Sequence, residues 1–313
     1  FQRIKAVYDG RANAGLDPVQ TRLVERYYAR FVRAGALLDA AAKEQMKKLN
    51  EEESNLQTRF QDNILKARSA AAILVDKKED LDGLSEEAIA AAADAAKAKG
   101  KEGQWLIEIV NTTTQPVLSS LKNRALRERI FKASTGRNVS GDADNRPVVA
   151  RLAQLRAQKA KLLGFPSSAA YVMDDQMAKT PEAALKLLAG LAPAAARNAK
   201  AEADKLQKMM THDLEFVKTS GVNKSTGLMP DGRKFELMPW DWDYYSELVR
   251  KAEYDLDEAA MKPYFNFDSV LVNGVFYAAQ EMYGLTFKER HDLPVYHPDV
   301  RVFDIIDTGG KAI

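Results

Sequence analysis

The sequence lacks cysteine entirely. Disulfide bonds, thiolate nucleophiles, iron–sulfur clusters and cysteine-based zinc sites are therefore excluded. Long apolar runs are also absent, since no stretch approaches the roughly 18 consecutive apolar residues of a membrane-spanning helix. Charge of one sign is not in excess, because 46 Lys and Arg residues face 44 Asp and Glu residues and leave a net charge of +2. We therefore expect neither nucleic acid nor a membrane among the partners.

Histidine is scarce, with 3 residues in 313, and the motifs of several enzyme classes are missing. No His-Glu-x-x-His pair, Gly-x-Ser-x-Gly elbow, phosphate-binding loop or Gly-x-Gly-x-x-Gly fingerprint occurs. His291 and His297 lie in a segment that we expect to be extended, where both could occupy one face of a strand, but further metal ligands are not obvious nearby. We expect His212 to lie in solvent at a polar helix end. The residues alone therefore give no catalytic constellation and no metal ligand.

The dominant pattern of the sequence is helical, and the fold class that it predicts is mainly α. Asp17 followed by Pro18 predicts a helix start, because Asp accepts free backbone N–H groups and Pro suits the first helical position. Gly35 is expected to stop that helix. A length of 313 residues suggests about two domains.

A long, charged helix is predicted from Leu38, with an apolar stripe that Glu53 interrupts. We expect it to pair in antiparallel fashion with the preceding helix, which would contribute Tyr27 and Phe31. Further helices are expected up to a long one that starts at 180–182 and is broken near Pro193. Short apolar runs at 73–75 and 105–110 are candidate strands.

The later part of the chain changes character. Residues 219–239 are rich in Gly, Ser, Asn and Pro, which predicts a loop. Helices are predicted after the loop, with a stop at Gly284. The segment from Val300 to Ile306 is rich in β-branched and apolar residues, which predicts a strand. We therefore divide the chain into a helical segment over 1–218, the loop over 219–239, and helices with the start of a small sheet over 240–313.

The aromatic stretch Pro-Trp-Asp-Trp-Asp-Tyr-Tyr at 239–245 has two interpretations. It is either a ligand platform at the edge of a cleft or the entry into a helix. In the second interpretation, which we favour, Asp241 caps the helix while Trp242 and Tyr245 pack inward. Both ends of the sequence are expected to be cuts through a longer protein, since the chain opens without Met and three residues follow the Gly309-Gly310 turn.

Six strings in colinear order carry a resemblance to a known family. They are Leu-Gly-Phe-Pro at 163–166, Asp-Gln-Met-Ala-Lys-Thr-Pro-Glu-Ala-Ala-Leu at 175–185, Pro-Trp-Asp-Trp-Asp-Tyr-Tyr at 239–245, Leu-Asp-Glu at 256–258, Lys-Pro-Tyr-Phe at 262–265 and Val-Tyr-His-Pro-Asp-Val-Arg-Val at 295–302. Together they resemble the bacterial peptidyl-dipeptidases of the thimet-oligopeptidase-like zinc metallopeptidases. The resemblance covers essentially the whole chain.

The resemblance implies a helical wall of a two-lobed, zincin-like oligopeptidase, with a small β element near the C-terminal end of this chain. It also implies zinc as the cofactor of the full-length parent and oligopeptides as substrates. The His-Glu-x-x-His motif that binds zinc in the family would follow Ile313, so no zinc ligand and no catalytic residue is carried over to this chain. Alone, the chain is expected to be inactive and to need the missing C-terminal part of the same protein, or an oligomeric partner, to cover exposed apolar surface.

Three residues are candidates for substrate binding because they adjoin the strand that would approach the site: Tyr296, His297 and Arg301. Two alternatives stay open for the activity, namely an endo-acting oligopeptidase of the same family and a helical scaffold or adaptor without catalysis. The bacterial members of the family suggest a cytoplasmic protein, with the periplasm as the alternative if a signal peptide was lost.

Overall fold

The computed structural model describes residues 1–110, 115–213, 234–254 and 258–313, together with residues 222 and 229. The chain divides into two compact units, Phe1–Val249 and Arg250–Ile313. Most of the loop predicted over 219–239 lies outside the described residues, so the predicted division at that loop stays a prediction. Among the described residues, no helix combines the length and the apolar character that crossing a bilayer requires.

The first unit is built mainly from helices, with one small sheet. Its helices are α1 (Gln2–Gly10), α2 (Pro18–Arg33), α3 (Ala40–Ala70), α4 (Glu86–Ala98), α5 (Arg124–Thr135), α6 (Arg146–Leu162), α7 (Ser168–Met173), α8 (Pro181–His212) and α9 (Trp242–Tyr254), which continues into the second unit. Its strands are β1 (Ile73–Val75) and β2 (Trp105–Ile107), which pair antiparallel with Ile73 opposite Ile107. Both strands were predicted, although β2 ends earlier than its apolar run.

Local capping chemistry explains where the predicted helices begin. The side chain of Asp17 accepts a hydrogen bond from the backbone N–H of Gln20 at 2.8 Å, and the Gln20 side chain accepts one from the N–H of Asp17 at 3.1 Å. This reciprocal capping box satisfies two backbone donors at the start of α2. The predicted stop is confirmed as well, since Gly35 follows the helix with a φ of +95° that favours glycine.

The partner predicted for the long helix was wrong. Helix α3 packs along α6, whereas α2 packs on α1, where Tyr8 and Tyr28 stack at 3.8 Å between ring centroids. Tyr27 and Phe31 remain 47% and 39% exposed. The reason lies at the interruption of the apolar stripe, because Glu53 accepts hydrogen bonds from two basic side chains of α6 and so selects that helix.

The core of the first unit forms where the small sheet meets α4 and α5. Val75, Ile107 and Ile109 from the sheet region pack with Leu126 and Ile130 of α5, and each is at most 5% exposed. Burying such a cluster removes apolar surface from water, which is the main favourable contribution to folding.

The predicted break near Pro193 was wrong, because α8 runs without interruption from Pro181 to His212. Proline removes one backbone hydrogen bond within a helix, which frees the carbonyl group four residues earlier. This part of α8 is exposed to solvent, so water can satisfy the freed carbonyl of Ala189. A local signal for a break is thus overridden by the length of the surrounding helix.

The second unit combines short helical segments with a β-hairpin. It contains α10 (Glu258–Met261), α11 (Phe267–Ser269), a π-helical turn (Val270–Phe276), α12 (Tyr277–Tyr283), β3 (Thr286–Arg290) and β4 (Val302–Ile306). The expected stop at Gly284 is confirmed by its left-handed φ of +67°. Strand β4 matches the predicted strand apart from its first two residues.

Strand β3 was not predicted from the sequence. It pairs antiparallel with β4, with Thr286 opposite Ile306 and Arg290 opposite Val302. The chain then turns back after β4, since the N–H of Gly310 donates to the carbonyl of Asp307 at 3.0 Å and Ala312 bridges to Ile306. This return is the predicted turn at Gly309-Gly310.

The fold class predicted from the sequence is confirmed at the level of secondary structure. Of the described residues, 66% are helical, and the same residues contain two small antiparallel sheets. One of the sheets lies near the C-terminal end, as expected.

Candidate functional site

The hairpin of the second unit presents two faces with different chemistry. Phe287 and Phe303 lie on the face that meets the π-helical turn, where Phe276 stacks on Phe287 at 4.0 Å and meets Phe303 edge-on at 4.9 Å. The alternation of side chains along a strand places Glu289 on this same face. The face therefore joins an aromatic cluster to a carboxylate.

Arg301 lies just before β4 and is held by two carboxylates. Its guanidinium donates to both oxygens of Glu289, at 2.6 and 2.7 Å, and to Oδ1 of Asp268 at 2.7 Å. It also lies over the ring of Phe303, 5.0 Å from the centroid. The hydrogen bond from Arg301 is the main cause that holds the pKa of the Glu289 carboxyl below its ordinary value.

A second arginine organises the opposite face of the hairpin. Arg290 donates to both oxygens of Asp292, at 2.6 Å each, and to both oxygens of Asp304 across the strands, at 3.0 and 3.1 Å. The hydrogen bond from Arg290 is the main cause that lowers the pKa of Asp292 to about 2. Bidentate pairs of this kind fix geometry as well as charge.

Tyr296 and His297 lie in the connection between the two strands. The connection is a loop with bends and not a strand, so His291 and His297 do not share a strand face. Nδ1 of His297 accepts a hydrogen bond from the N–H of Asp299 at 3.3 Å, and the carbonyl of His297 accepts one from the N–H of Val300 at 3.1 Å. Tyr296 is 94% exposed.

The three predicted site residues are therefore close in sequence but differ in their surroundings. Tyr296 and His297 are exposed, whereas Arg301 is engaged by Glu289 and Asp268. Among the described residues, no hydrogen bond or ion pair joins any two of the three. Glu289 and Asp268 were not among the predicted site residues. The strand that carries Glu289 was not predicted, and Asp268 lies 33 positions before Arg301.

The predicted helix entry at 239–245 also contains an ionic cluster that sequence reasoning missed. Asp241 is fully buried and accepts hydrogen bonds from Arg127 at 2.9 Å and from Arg124 at 2.7 Å. Its Oδ2 also accepts one from the N–H of Met238 at 3.1 Å, which caps the short 3₁₀ turn Pro239–Asp241 that precedes α9. Arg127, also fully buried, donates to the carbonyls of Leu121 and Lys122.

Packing is the better interpretation of the aromatic stretch itself. Tyr245 is fully buried, and burial raises the pKa of its hydroxyl far above the ordinary value. Trp240 is 8% exposed and meets Phe131 at 6.2 Å between ring centroids. Trp242, expected to pack inward, is half-buried and contacts the cluster around Tyr245.

A metal centre is not formed by the described residues. Within the part of the chain that the structure describes, no group of three or more His, Asp or Glu side chains could hold a metal ion. His212 lies exposed at the end of α8, with Nδ1 2.7 Å from the carbonyl of Lys208. The arrangement consists of structural ion pairs next to the exposed side chains of Tyr296 and His297.

Comparison with known proteins links the chain to a family of peptidases. A family model described as peptidase family M3 matches residues 117–313. Over its whole length the chain is 43% identical to the dipeptidyl carboxypeptidase of Escherichia coli (strain K12) and 43% identical to that of Salmonella typhimurium. Over 99% of its length it is 30% identical to the oligopeptidase A of Escherichia coli. The chain spans 44% of the length of each of these relatives.

Proposed function

The chain belongs to peptidase family M3, and we propose that it is a non-catalytic portion of a zinc metallopeptidase that removes C-terminal dipeptides from oligopeptides. One observation supports this most strongly, namely the 43% identity over the whole chain to proteins named dipeptidyl carboxypeptidase. The identity to proteins named oligopeptidase A is lower, at 30–31%. The share of the relatives that the chain covers, 44%, supports a partial contribution.

We propose that the zinc of the parent is bound outside the described residues of this chain. The described residues offer no cluster of His, Asp and Glu that fits a metal ion. We therefore assign no zinc ligand and no catalytic step to them. What this chain would supply is part of the wall along which an oligopeptide lies.

The residues that we propose to contact the oligopeptide are Tyr296, His297 and Arg301. Exposure supports the roles of Tyr296 and His297, whose side chains are available at the surface of the second unit. Arg301 sits between Glu289 and Asp268, so it would hold the start of β4 in place beside the bound peptide.

We propose as partner the remaining part of the same protein. Large aromatic side chains of the second unit are strongly exposed, among them Tyr264, Phe267 and Tyr283 at 81%, 71% and 66%. Exposed apolar surface of this kind is typical of interaction sites. A sizing column at two concentrations tests the proposal, and a well-folded monomer at both would count against the need for a partner.

The activity is tested on this chain and on the longer protein of its reading frame. Zinc content and hydrolysis of an N-blocked nonapeptide are measured in both. Zinc together with release of C-terminal dipeptides in the longer protein alone is the expected result. Stoichiometric zinc in the 313-residue chain, or no zinc and no hydrolysis in either, would contradict the proposal, and the second outcome would favour a scaffold.

The products of the same peptide distinguish the alternative within the family. Stepwise loss of dipeptides from the C-terminus indicates a peptidyl-dipeptidase, whereas cleavage at internal bonds indicates an endo-acting oligopeptidase. In the longer protein, we expect His297→Ala to raise KM for the peptide, while the control His212→Ala, at the exposed end of α8, leaves it unchanged. Cell fractionation tests the cytoplasmic location that we propose against the periplasmic alternative.

A further inference from the structure

The first unit contains a cavity that the proposed function does not use. Its volume is about 690 Å³, and it lies between α5, α8 and the residues that lead into α9. Pockets that hold small molecules have volumes of about 300–1,000 Å³ and walls that are mostly apolar. The size of the cavity therefore suits a small molecule or the end of a peptide.

The walls of the cavity are apolar and acidic. Phe131 and Trp242 contribute aromatic surface, and Asp204, Glu236 and Asp243 contribute carboxylates. None of the residues that line the cavity is Lys, Arg or His. Glu236 has Lys234 as an ion-pair partner at 4.0 Å, which lies outside the lining. An apolar wall next to a surplus of negative charge favours a ligand that carries positive charge on an apolar body.

Asp243 is the carboxylate with the least compensation. Its side chain is half-buried, and burial raises the pKa of the carboxyl. No hydrogen-bond donor or cation among the described residues contacts it. A partly desolvated carboxylate without a partner costs free energy, and a bound cation would remove that cost.

The wall opposite α5 is held in place by backbone contacts. Gln207 on α8 donates to the carbonyl of Phe235 at 3.3 Å and accepts from the N–H of Leu237 at 2.7 Å. Because the Gln207 amide both donates to and accepts from the backbone of this segment, the segment over 235–237 is tied to α8 without a ligand. The cavity is therefore preformed, which lowers the cost of binding.

We propose that this cavity binds an amphipathic cation, that is, a primary ammonium or guanidinium group attached to an apolar or aromatic body. Asp243 is the charge partner, and Phe131 and Trp242 hold the apolar body. The source is either a free amine or the amino end of a peptide, since both present the same chemistry. The site stands independently of the peptidase assignment.

Calorimetry with two probes of the same shape tests the proposal on the 313-residue chain. Phenylethylamine carries the ammonium group, and 2-phenylethanol replaces it with a hydroxyl. We expect the amine to bind at least about tenfold more tightly, because a charge-assisted contact contributes more than a neutral one. Equal affinities, or no binding of the amine, would overturn the proposal.

Variants of the lining residues test whether the two probes bind in this cavity. Asp243→Asn is expected to weaken the affinity for the amine about tenfold and to leave the affinity for the alcohol unchanged. The control Asp94→Asn, at an exposed position on α4, is expected to change neither affinity. Ala203→Trp, which fills the cavity from α8, is expected to abolish binding of both probes. If Asp243→Asn fails to fold, the double variant Asp204→Asn/Glu236→Gln at exposed positions replaces it. An amine affinity that survives both the charge removal and the filling would overturn the proposal.

The same calorimetric titration distinguishes a free amine from the amino end of a peptide as the source of the cation. Phenylalanyl-glycine amide with a free amino group is compared with its N-acetylated form and with phenylethylamine. Tighter binding of the free peptide than of phenylethylamine identifies a peptide end as the ligand class, and the reverse identifies a small amine. Binding of the acetylated peptide as tight as that of the free one would contradict the need for a cation.

Discussion

In the first unit an arginine–carboxylate contact is sealed from water, whereas in the second unit contacts of the same kind are partly exposed. The side chains of Arg127 and Asp241 are both 0% exposed. Those of Arg301 and Glu289 are 33% and 27% exposed. The geometry of the hydrogen bonds is similar, so the difference lies in the surroundings.

The same contrast holds for apolar side chains. All the described side chains that are largely buried lie between Met46 and Tyr245, and none of those described within 250–313 reaches that degree of burial. The first unit thus closes a core with its own residues, while the second is held by charge pairs and ring stacking. One kind of contact therefore has different energetic weight in the two units, because water screens it in one and not in the other.

Removing Asp241 is the largest perturbation that this comparison predicts. Asp241→Ala leaves Arg127 buried without a counter-charge, and we expect the free energy of unfolding to fall by about 3–5 kcal/mol. Urea unfolding followed by circular dichroism measures the loss. The matched control is Asp144→Ala, which removes the partner of Arg146, a side chain that is 68% exposed, and should cost far less. Similar losses in the two variants would break the comparison.

Removing the central ring of the second unit tests how its aromatic cluster contributes. Phe276→Ala deletes the ring that contacts both Phe287 and Phe303, and we expect a local loss of about 2 kcal/mol. Because the second unit has its own contacts, hydrogen exchange should speed up in the hairpin and stay unchanged at Ile130. Tyr283→Ala, at a ring that is 66% exposed, is the control. Equal acceleration in both units would show that they unfold together.

Helix starts and the small sheet of the first unit were predictable because their signals are local. The capping box at Asp17 and Gln20 spans four residues, and the runs at 73–75 and 105–107 are continuous and apolar. By contrast, Thr286–Arg290 contains a single large apolar residue, Phe287. Its strand character comes from pairing with β4 across a long connection, which no local pattern shows.

The ionic clusters could not be predicted from the sequence either, because their members are far apart in the chain. Asp241 and Arg127 are 114 positions apart, so the sequence indicated a cap but not the buried pair. Glu53 looked like a flaw in an apolar stripe, and only the position of α6 shows it to be the contact that selects the partner helix. For Tyr296, His297 and Arg301 the sequence predicted proximity to a strand, which the structure shows, while their role in peptide binding stays a prediction.

Neighbouring carboxylates on α3 sharpen the comparison within the first unit. Glu53 has a side chain that is 13% exposed and accepts from Lys159 and Arg156, whereas Glu52 is 41% exposed and pairs with Arg151. Burial raises the pKa of Glu53, but the hydrogen bonds from Lys159 and Arg156 outweigh it and lower the pKa overall. We expect Glu53→Gln to cost about 1–2 kcal/mol in urea unfolding.

Glu52→Gln is the matched control and should cost less than Glu53→Gln, because its pair is more exposed. High salt should reduce the effect of the Glu52 change more than that of the Glu53 change, since screening acts mainly on exposed charges. A larger effect at Glu52 would contradict the dependence on burial.

Acid titration of the hairpin is the mildest test and addresses the exposed pairs directly. In the folded chain, the hydrogen bond from Arg290 lowers the pKa of Asp292 to about 2. The hydrogen bond from Arg301 lowers the pKa of Glu289. A carboxyl group whose folded pKa is depressed contributes stability above its unfolded pKa, which is about 3.9 for Asp and 4.3 for Glu, and loses that contribution as the pH falls through the folded value. The Asp292 pair should therefore persist at a pH of about 3.5 and open only near pH 2.

Carboxyl carbon shifts in NMR spectra measure this opening at each residue. In Arg290→Gln the titration of Asp292 should return toward its ordinary range while that of Glu289 stays depressed, and Arg301→Gln should do the reverse. If Asp292 titrates near its ordinary value of about 3.9 in the unaltered chain, water screens the exposed pair completely. The hairpin would then depend on its stacked rings alone, and the contrast between sealed and exposed charge would be greater than the geometry indicates.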